Sequence, residues 1–264
     1  VSDPKNPKVV STIDPPDYSH THKVRIAGDR LYTNVEQDKR HVLRLGDRLP
    51  DFRASFKKDN GRAATDADCA AFLSRSVDEI KKLDEARERG YDGGGWRLWD
   101  VADKANPKLL SYTKTHGFGT HRFDADERYA YISTEMEGFV GNILVTYDCQ
   151  DPTEPEEISR WWMPGQNVAA GEKPWWTGYS HRMHHALRFR DEMWAAVWQS
   201  GYRILDIKDI KDPTLVGEIP HSPVVEPSHT IMPIGEIDGR RIAVGIDEEH
   251  ANHVHGQAHA CMWT

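Results

Sequence analysis

Four histidines in this chain each stand one residue before an alternating apolar stretch. They are His22, His121, His185 and His229. Neutral imidazole nitrogens bind Zn, Cu, Fe and Ni, so this residue type at a repeated position predicts a transition metal ion, with Fe, Cu or Zn as candidates. His184 is the alternative to His185, because Met183-His184-His185 allows either histidine to take the equivalent position.

A polar side chain follows each histidine along the chain. The separation is fourteen residues in three repeats and eighteen in the fourth, where the extra residues fall in a hairpin turn. The polar residues are Glu36, Glu135, Gln199 and Asp247. In an antiparallel hairpin the start of one strand lies beside the end of the next, so each is expected at the edge that carries its histidine. There they would orient the imidazoles or transfer a proton as catalytic residues.

The stretches that carry these residues predict short antiparallel strands. The clearest repeat runs from His121 to Trp162, and similar orders of strands and turns recur at 22–107 and 185–213. β-Branched and aromatic residues fill the runs, and Gly, Pro and Asp bound them. Four short strands per repeat predict the blades of a β-propeller, since each small sheet can bury its faces only against its neighbours.

Two segments carry a resemblance to a known family. Gly95-Trp-Arg-Leu-Trp-Asp-Val-Ala-Asp103 and Gly201-Tyr-Arg-Ile-Leu-Asp-Ile-Lys-Asp209 each lead on to an Asn-Pro or Asp-Pro pair. They resemble the LVIVD-repeat family of β-propellers, whose signature is Gly-Leu-Val-Ile-Val-Asp-Val-Ser-Asp-Pro. The resemblance covers nearly the whole chain outside one insertion. It implies the fold and leaves the histidines to be argued on their chemistry, since they are not part of the signature.

The expected fold class is therefore all-β, a β-propeller of four-stranded antiparallel blades with one helical insertion. About four blades are visible, and we interpret residues 1–264 as a single propeller domain that is incomplete at both ends. Four blades is the low end of the known range, which favours a larger propeller of roughly six to eight blades. Residues 8–13 are expected to supply the last strand of the first repeat.

One segment breaks the repeat pattern. From Thr65 to Glu88 the apolar residues recur mostly at spacings of three and four, with charged residues between them. This spacing predicts an amphipathic helix capped by Thr65 or Asp66, in an insertion that we place at 63–90. The insertion could cover one face as a lid, bind a protein partner, or be a surface decoration, which costs little free energy in a loop.

Composition excludes several classes of partner. Acidic side chains outnumber basic ones by 42 to 34 and no Lys/Arg stripe is visible, so nucleic acid is not expected to bind. No apolar run approaches the roughly 18 residues of a membrane span. Three widely spaced cysteines predict neither a disulfide framework nor a zinc ribbon. The compartment stays open between cytoplasm and periplasm.

The histidines predict a metal-dependent enzyme that acts on a small-molecule substrate. An all-imidazole site suits iron or copper, which favours an oxidoreductase over a hydrolase or a lyase. The alternative is a non-catalytic propeller that binds a protein or ligand across one face. A purely structural role for the histidines, inherited by duplication, is also open.

Overall fold

The computed structural model describes residues 4–176, 181–220 and 227–248, and the backbone of 260–263. Strands make up 42% of the structure and helices 18%. The strands are β1 (Ser19–His20), β2 (Val24–Ala27), β3 (Arg30–Gln37), β4 (Gly95–Asp100), β5 (Lys108–Lys114), β6 (His116–Ala125), β7 (Tyr129–Glu135), β8 (Asn142–Asp148), β9 (Glu156–Trp161), β10 (His185–Phe189), β11 (Glu192–Ala196), β12 (Tyr202–Asp206), β13 (Thr214–Ile219), β14 (Ser228–Ile237), β15 (Arg240–Asp247) and β16 (Ala260–Trp263). The α-helices are α1 (Arg40–Gly46), α2 (Leu49–Asn60), α3 (Asp66–Leu73) and α4 (Val77–Arg89), and Val168–Ala170 forms a short 3-10 helix.

The strands form meanders in which consecutive strands are neighbours. β2 to β5 form one meander and β6 to β9 the next, and a single pair, Glu36 with Gly119, joins them into a curled nine-stranded sheet that also includes β1. β10 to β13 form a separate four-stranded sheet, and β14 to β16 a three-stranded one. The mostly β, antiparallel architecture predicted from the alternating runs is confirmed.

The turn after the third strand is built in the same way in the three four-stranded meanders. The aspartates that end these strands accept the backbone N–H two residues later at 2.8–2.9 Å, and they are Asp100, Asp148 and Asp206. Three residues further on, a second aspartate repeats the bond at 2.9–3.0 Å in Asp103, Asp151 and Asp209. Such bonds stabilise a turn locally. The recurring Asp-x-x-Asp pattern is thus two successive side-chain-stabilised turns.

Each meander packs against the next through a buried apolar face. Trp96 of β4 stands 5.3 Å, between ring centroids, from Tyr147 of β8. Further along, Leu144 of β8 belongs to one cluster with Met193 of β11, and Trp194 of β11 to another with Ile231 of β14. This stacking is the way in which small sheets bury their faces.

The first and last sheets each keep an apolar face exposed. Val24 and Ile26 of β2 are 65% and 66% exposed, and Met232 and Ile234 of β14 are 53% and 54% exposed. Residues 8–13, expected to form a strand, adopt none. Their apolar side chains, Val9 and Val10, are exposed. The strand expectation is wrong, since these residues take part in no strand pairing among the described residues.

Residues 37–92 form a second compact unit that holds all four α-helices. It is wider than the insertion expected at 63–90, and the single helix expected at 65–88 is divided into α3 and α4. Ser74 adopts the left-handed conformation, with φ of 53°, and ends α3. Ser76 then caps α4 by a reciprocal pair of hydrogen bonds with Glu79. Among the described residues, no helix is long and apolar enough to cross a membrane.

Candidate metal centre

Strands of different sheets bring five histidines into one row. Its ring centroids are separated by 4.7 Å from His20 to His22, 5.5 Å from His22 to His121, 4.9 Å from His121 to His184 and 4.6 Å from His184 to His229. The repeat places them there, because each histidine lies in or shortly before the first strand of a meander. Histidines far apart in sequence are therefore neighbours in space.

In the third meander the row contains His184 and not His185. The His184 side chain is fully buried, and its neighbour along the chain points away, with Nδ1 at 3.1 Å from the hydroxyl of Thr230. Successive residues of a strand point to opposite faces, so only one of the two can face the row. Burial, the largest cause, lowers the pKa of His185 to about 3.

The hydrogen on the His121 ring is fixed by Glu36. Nδ1 of His121 lies 3.1 and 3.2 Å from the two carboxylate oxygens of Glu36, whose side chain is 2% exposed. An ionised carboxylate only accepts hydrogen bonds, so the Nδ1–H of His121 donates. In the neutral ring, Nε2 then carries a lone pair, and it faces Nε2 of His184 at 3.1 Å.

The hydrogen on the His184 ring is fixed by the backbone. Nδ1 of His184 lies 2.7 Å from the carbonyl oxygen of His229 and must donate to it. Burial is the main cause that holds the pKa of His184 well below its usual range, so the ring is neutral at pH 7. Its Nε2 therefore carries a lone pair as well. Two lone pairs at this distance repel unless a cation or a proton lies between them.

His229 presents a third lone pair. The Arg122 guanidinium donates a hydrogen bond to its Nε2, which must therefore accept. Its Nδ1 lies 2.9 Å from the hydroxyl of Thr230, to which it donates. Burial, followed by the charge of Arg122, lowers the pKa of His229 to about 4. This ring is also neutral at pH 7.

The Nε2 atoms of His121 and His184 are spaced as two ligands of one transition metal would be, and His121 lies beside, not within, the group that His184 and His229 form with Glu248. Nitrogens bound tetrahedrally at 2.0–2.1 Å lie about 3.3 Å apart, close to the 3.1 Å between His121 and His184. Nε2 of His184 and of His229 lie 3.7 and 3.8 Å from Oε2 of Glu248. The Glu248 side chain is 40% exposed, so the group is open to solvent on that side. His184, His229 and Glu248 could hold a metal ion.

A second group with metal-like spacing, His20, His22 and Glu36, lies at the other end of the row. Asn34 Oδ1 accepts the backbone N–H groups of His22 and Lys23, which fixes the orientation of its amide. The amide nitrogen of Asn34 therefore donates to Nδ1 of His22 at 3.1 Å. Neutral His22 then carries its hydrogen on Nε2, which faces Glu36 at 3.9 Å. This tautomer opposes metal binding through Nε2 of His22.

The remaining predicted residues lie outside the two groups. Oε2 of Glu135 accepts the backbone N–H of Phe118 at 3.0 Å, and Gln199 lies in an exposed turn. Asp247 is buried and accepts a hydrogen bond from the Tyr202 hydroxyl at 3.3 Å. The carboxylate that reaches the histidines is its neighbour, Glu248. Sequence reasoning missed it because the repeat spacing is longer in this hairpin, which left the register uncertain by one residue.

We expect the metal-free protein to lose stability in mild acid, before its carboxylates titrate. The pKa values of His185 and His229 are lowered in the fold, to about 3 and about 4, against an ordinary value near 6.5. Below about pH 6.5 the unfolded chain binds more protons than the folded one, so the stability present above that pH is lost as the pH falls. Each such histidine lowers the free energy of unfolding by about 1.4 kcal/mol for every pH unit below that value.

Urea unfolding of metal-free protein between about pH 7 and pH 5 measures this slope. A His185→Gln variant should show a shallower dependence by the contribution of one proton. Equal slopes for the two proteins would contradict the assignment of His185 as a buried neutral ring.

Comparison with known proteins adds a distant likeness. No family model matches this chain, and no curated protein matches it. Among solved structures it is similar to the periplasmic gluconolactonase PpgL of Pseudomonas aeruginosa, with 9% sequence identity and a TM-score of 0.39. The match covers 62% of this chain and 48% of the gluconolactonase, so the chain spans about half the length of that protein.

Proposed function

We propose that this protein is a metal-dependent enzyme that binds one transition metal ion through His121, His184 and His229 and acts on a small molecule. The observation that supports this proposal is the set of three Nε2 lone pairs. In each of the three rings Nδ1–H is committed to a different acceptor, which are Glu36, the His229 carbonyl and the Thr230 hydroxyl. Metal-binding histidines are oriented by acceptors of this kind.

The carboxylates at the two ends of the site have different roles in this proposal. Glu36 is buried and holds the His121 ring in one orientation, which also makes that imidazole a better electron donor. Glu248 is half-exposed beside His184 and His229, where it can accept a proton from a bound water or substrate. A position left free by the three imidazoles would face Glu248 and the solvent.

The reaction class follows from the donor set. A metal ion held by three neutral imidazoles acts as a Lewis acid or, if it is iron or copper, as a redox centre. No thiolate is among these ligands, and imidazole suits iron and copper, with which we favour an oxidoreductase. Hydrolysis with zinc at the same residues is the other reaction that this donor set allows.

The metal centre lies on the axis of a propeller in our proposal, with the meanders as its blades. The repeated aspartate turns and the sheet-to-sheet packing support blades of the LVIVD type. The exposed apolar faces of β2 and β14 support a larger ring, because in the repeats between them the equivalent faces are buried. A further blade against Val24 and Ile26 would complete that pattern.

Metal analysis of the purified protein tests the proposal. We expect about one equivalent of Fe, Cu or Zn after reconstitution, from three imidazole ligands of the usual type. The His116→Ala variant, which removes an exposed histidine outside the row, should bind the same amount. Folded protein that binds no transition metal would contradict an enzyme of this kind and favour a non-catalytic scaffold.

A further inference from the structure

We infer that the small molecule bound at this centre carries an oxyanion group, a carboxylate or a phosphate, and that Arg122 and Lys23 hold it beside the metal. The inference rests on the proposed function, and it assigns a substrate class to the same site. Arg122 follows His121 in β6, and Lys23 follows His22 at the start of β2. Each residue therefore directly follows a histidine of the row along the chain.

The guanidinium of Arg122 is not in direct contact with an acidic side chain among the described residues, and Glu248 and Glu36 act on its charge only from a distance. Within the part of the chain that the structure describes, it has a hydrogen bond to Nε2 of His229 and no ion pair, and its Nε is buried without a hydrogen-bond partner. Partial burial of a charge that no carboxylate contacts directly is costly, and such groups are normally paired or serve a ligand. The cationic group is thus set beside a neutral imidazole at the centre of the site.

Other arginines of the same compact unit show what ordinary pairing looks like here. Arg25, two residues from Lys23 on β2, donates from Nε to Asp124 at 2.6 Å. Arg188 donates to Asp126 at 2.7 Å, and Arg128 donates to Asp148 at 2.7 Å. Arg97 also has no ion pair, but it donates to the carbonyl of Asp14 and lies over the ring of Trp99. Arg122 differs in that its guanidinium lies beside the histidines of the proposed metal centre.

Lys23 adds a second positive charge at the same place. Among the described residues its ammonium group forms no hydrogen bond or ion pair. Its electrostatic neighbours are Arg122, Glu36 and Glu248, and burial lowers its pKa. Two cations beside a metal ion exceed the charge of the two carboxylates, so the loaded site attracts an anion.

The contact between Arg122 and His229 leads to a sharper expectation. A metal ion and the guanidinium compete for the same Nε2 lone pair of His229. When the metal binds this lone pair, the Arg122 guanidinium is displaced. It then lies next to a cation that repels its positive charge. An oxyanion relieves this repulsion, since one oxygen can bind the metal while another accepts the planar N–H groups of Arg122. Metal and anion should therefore strengthen the binding of each other.

Cobalt-substituted protein provides the test, since its visible absorption reports a change in the metal's ligands. We would measure the cobalt dissociation constant with and without acetate, and with and without inorganic phosphate. In the wild-type protein we expect one of the two anions to tighten cobalt binding by a factor in the range of about 5–150. Which of them does so identifies the carboxylate or the phosphate as the recognised group.

The Arg122→Gln variant should lose this coupling, to below about twofold, since its neutral amide neither repels the metal nor binds the anion. For the same reason it should bind cobalt more tightly than the wild type when no anion is present. Arg122→Lys keeps the charge without the two-pronged N–H geometry and should retain part of the coupling. Arg240→Gln removes an exposed arginine elsewhere on the protein and should behave as the wild type.

The outcomes separate the two proposals. Cobalt binding with the same anion coupling in Arg122→Gln as in the wild type would overturn the inference and leave the metal centre intact. Cobalt binding without coupling to either anion in the wild type would also overturn it. No cobalt binding by folded protein would overturn the metal centre and this inference together. Circular dichroism of each variant verifies that the fold is retained.

Discussion

Replacing His184 with glutamine should remove the bound metal, and replacing His185 should leave it in place. Nε2 of His184 faces His121 on one side and Glu248 on the other, so it is the central ligand of the site. Loss of the residue that orients a ligand weakens metal affinity by roughly 10–100-fold. Loss of His184, a ligand itself, should weaken it by more than that. Metal content after gel filtration, together with competition against a chelator, measures the effect.

The pair of variants is matched, since both remove a buried imidazole from adjacent positions and replace it with a polar side chain. Thermal unfolding of the two metal-free proteins identifies any general destabilisation. If His185→Gln lost the metal while His184→Gln retained it, the metal centre would have to be built on the other face of β10.

Replacing Glu36 with glutamine should weaken metal affinity by roughly 10–100-fold while the protein stays folded. The carboxylate accepts the Nδ1–H of His121, and its negative charge makes the opposite nitrogen a stronger donor. A neutral amide accepts less strongly and can also turn its NH₂ group towards the ring. Metal affinity by chelator competition and, for an active protein, the change in kcat/KM report this loss.

Glu135→Gln is the matched control for this experiment. Glu135 ends β7 as Glu36 nearly ends β3, but it accepts a hydrogen bond from the backbone of Phe118. Its replacement should leave metal affinity within about twofold of the wild type, because no ligand in the proposed set depends on it. An equal loss in both variants would indicate a general electrostatic effect of negative charge instead of a specific bond to His121.

The sequence predicted the strands well because their side chains alternate and their turns carry aspartates that act locally. Asp148, for example, bonds the N–H of Gln150, an interaction that needs no distant partner. Helices α1 and α2 were missed because their apolar residues show no long periodic run. The break between α3 and α4 had a signal, since Ser76 followed by Glu79 is a capping pair at the start of a helix.

Within the site, sequence spacing placed the histidines in the correct region and left the choice of individual residues to the register. His184 and His185 differ by one position, and a shift of one residue in a strand exchanges its two faces. The same applies to Asp247 and Glu248. The tautomers were beyond prediction, because His22 differs from His121 only through the neighbours that each ring meets in three dimensions, Asn34 and Glu36.

The ligands of the proposed metal come from three different sheets, so a bound metal would also restrict the conformations of the unfolded chain. His121 and His184 are 63 residues apart, and His184 and His229 are 45 apart. A metal ion bound to all three would act as a cross-link that closes two long loops, and a clip of this kind restricts an unfolded chain more as the loop lengthens. Removal of the metal by a chelator would then weaken the packing between neighbouring meanders before any single meander unfolds. Proteases should therefore cleave first at the boundaries of the repeats.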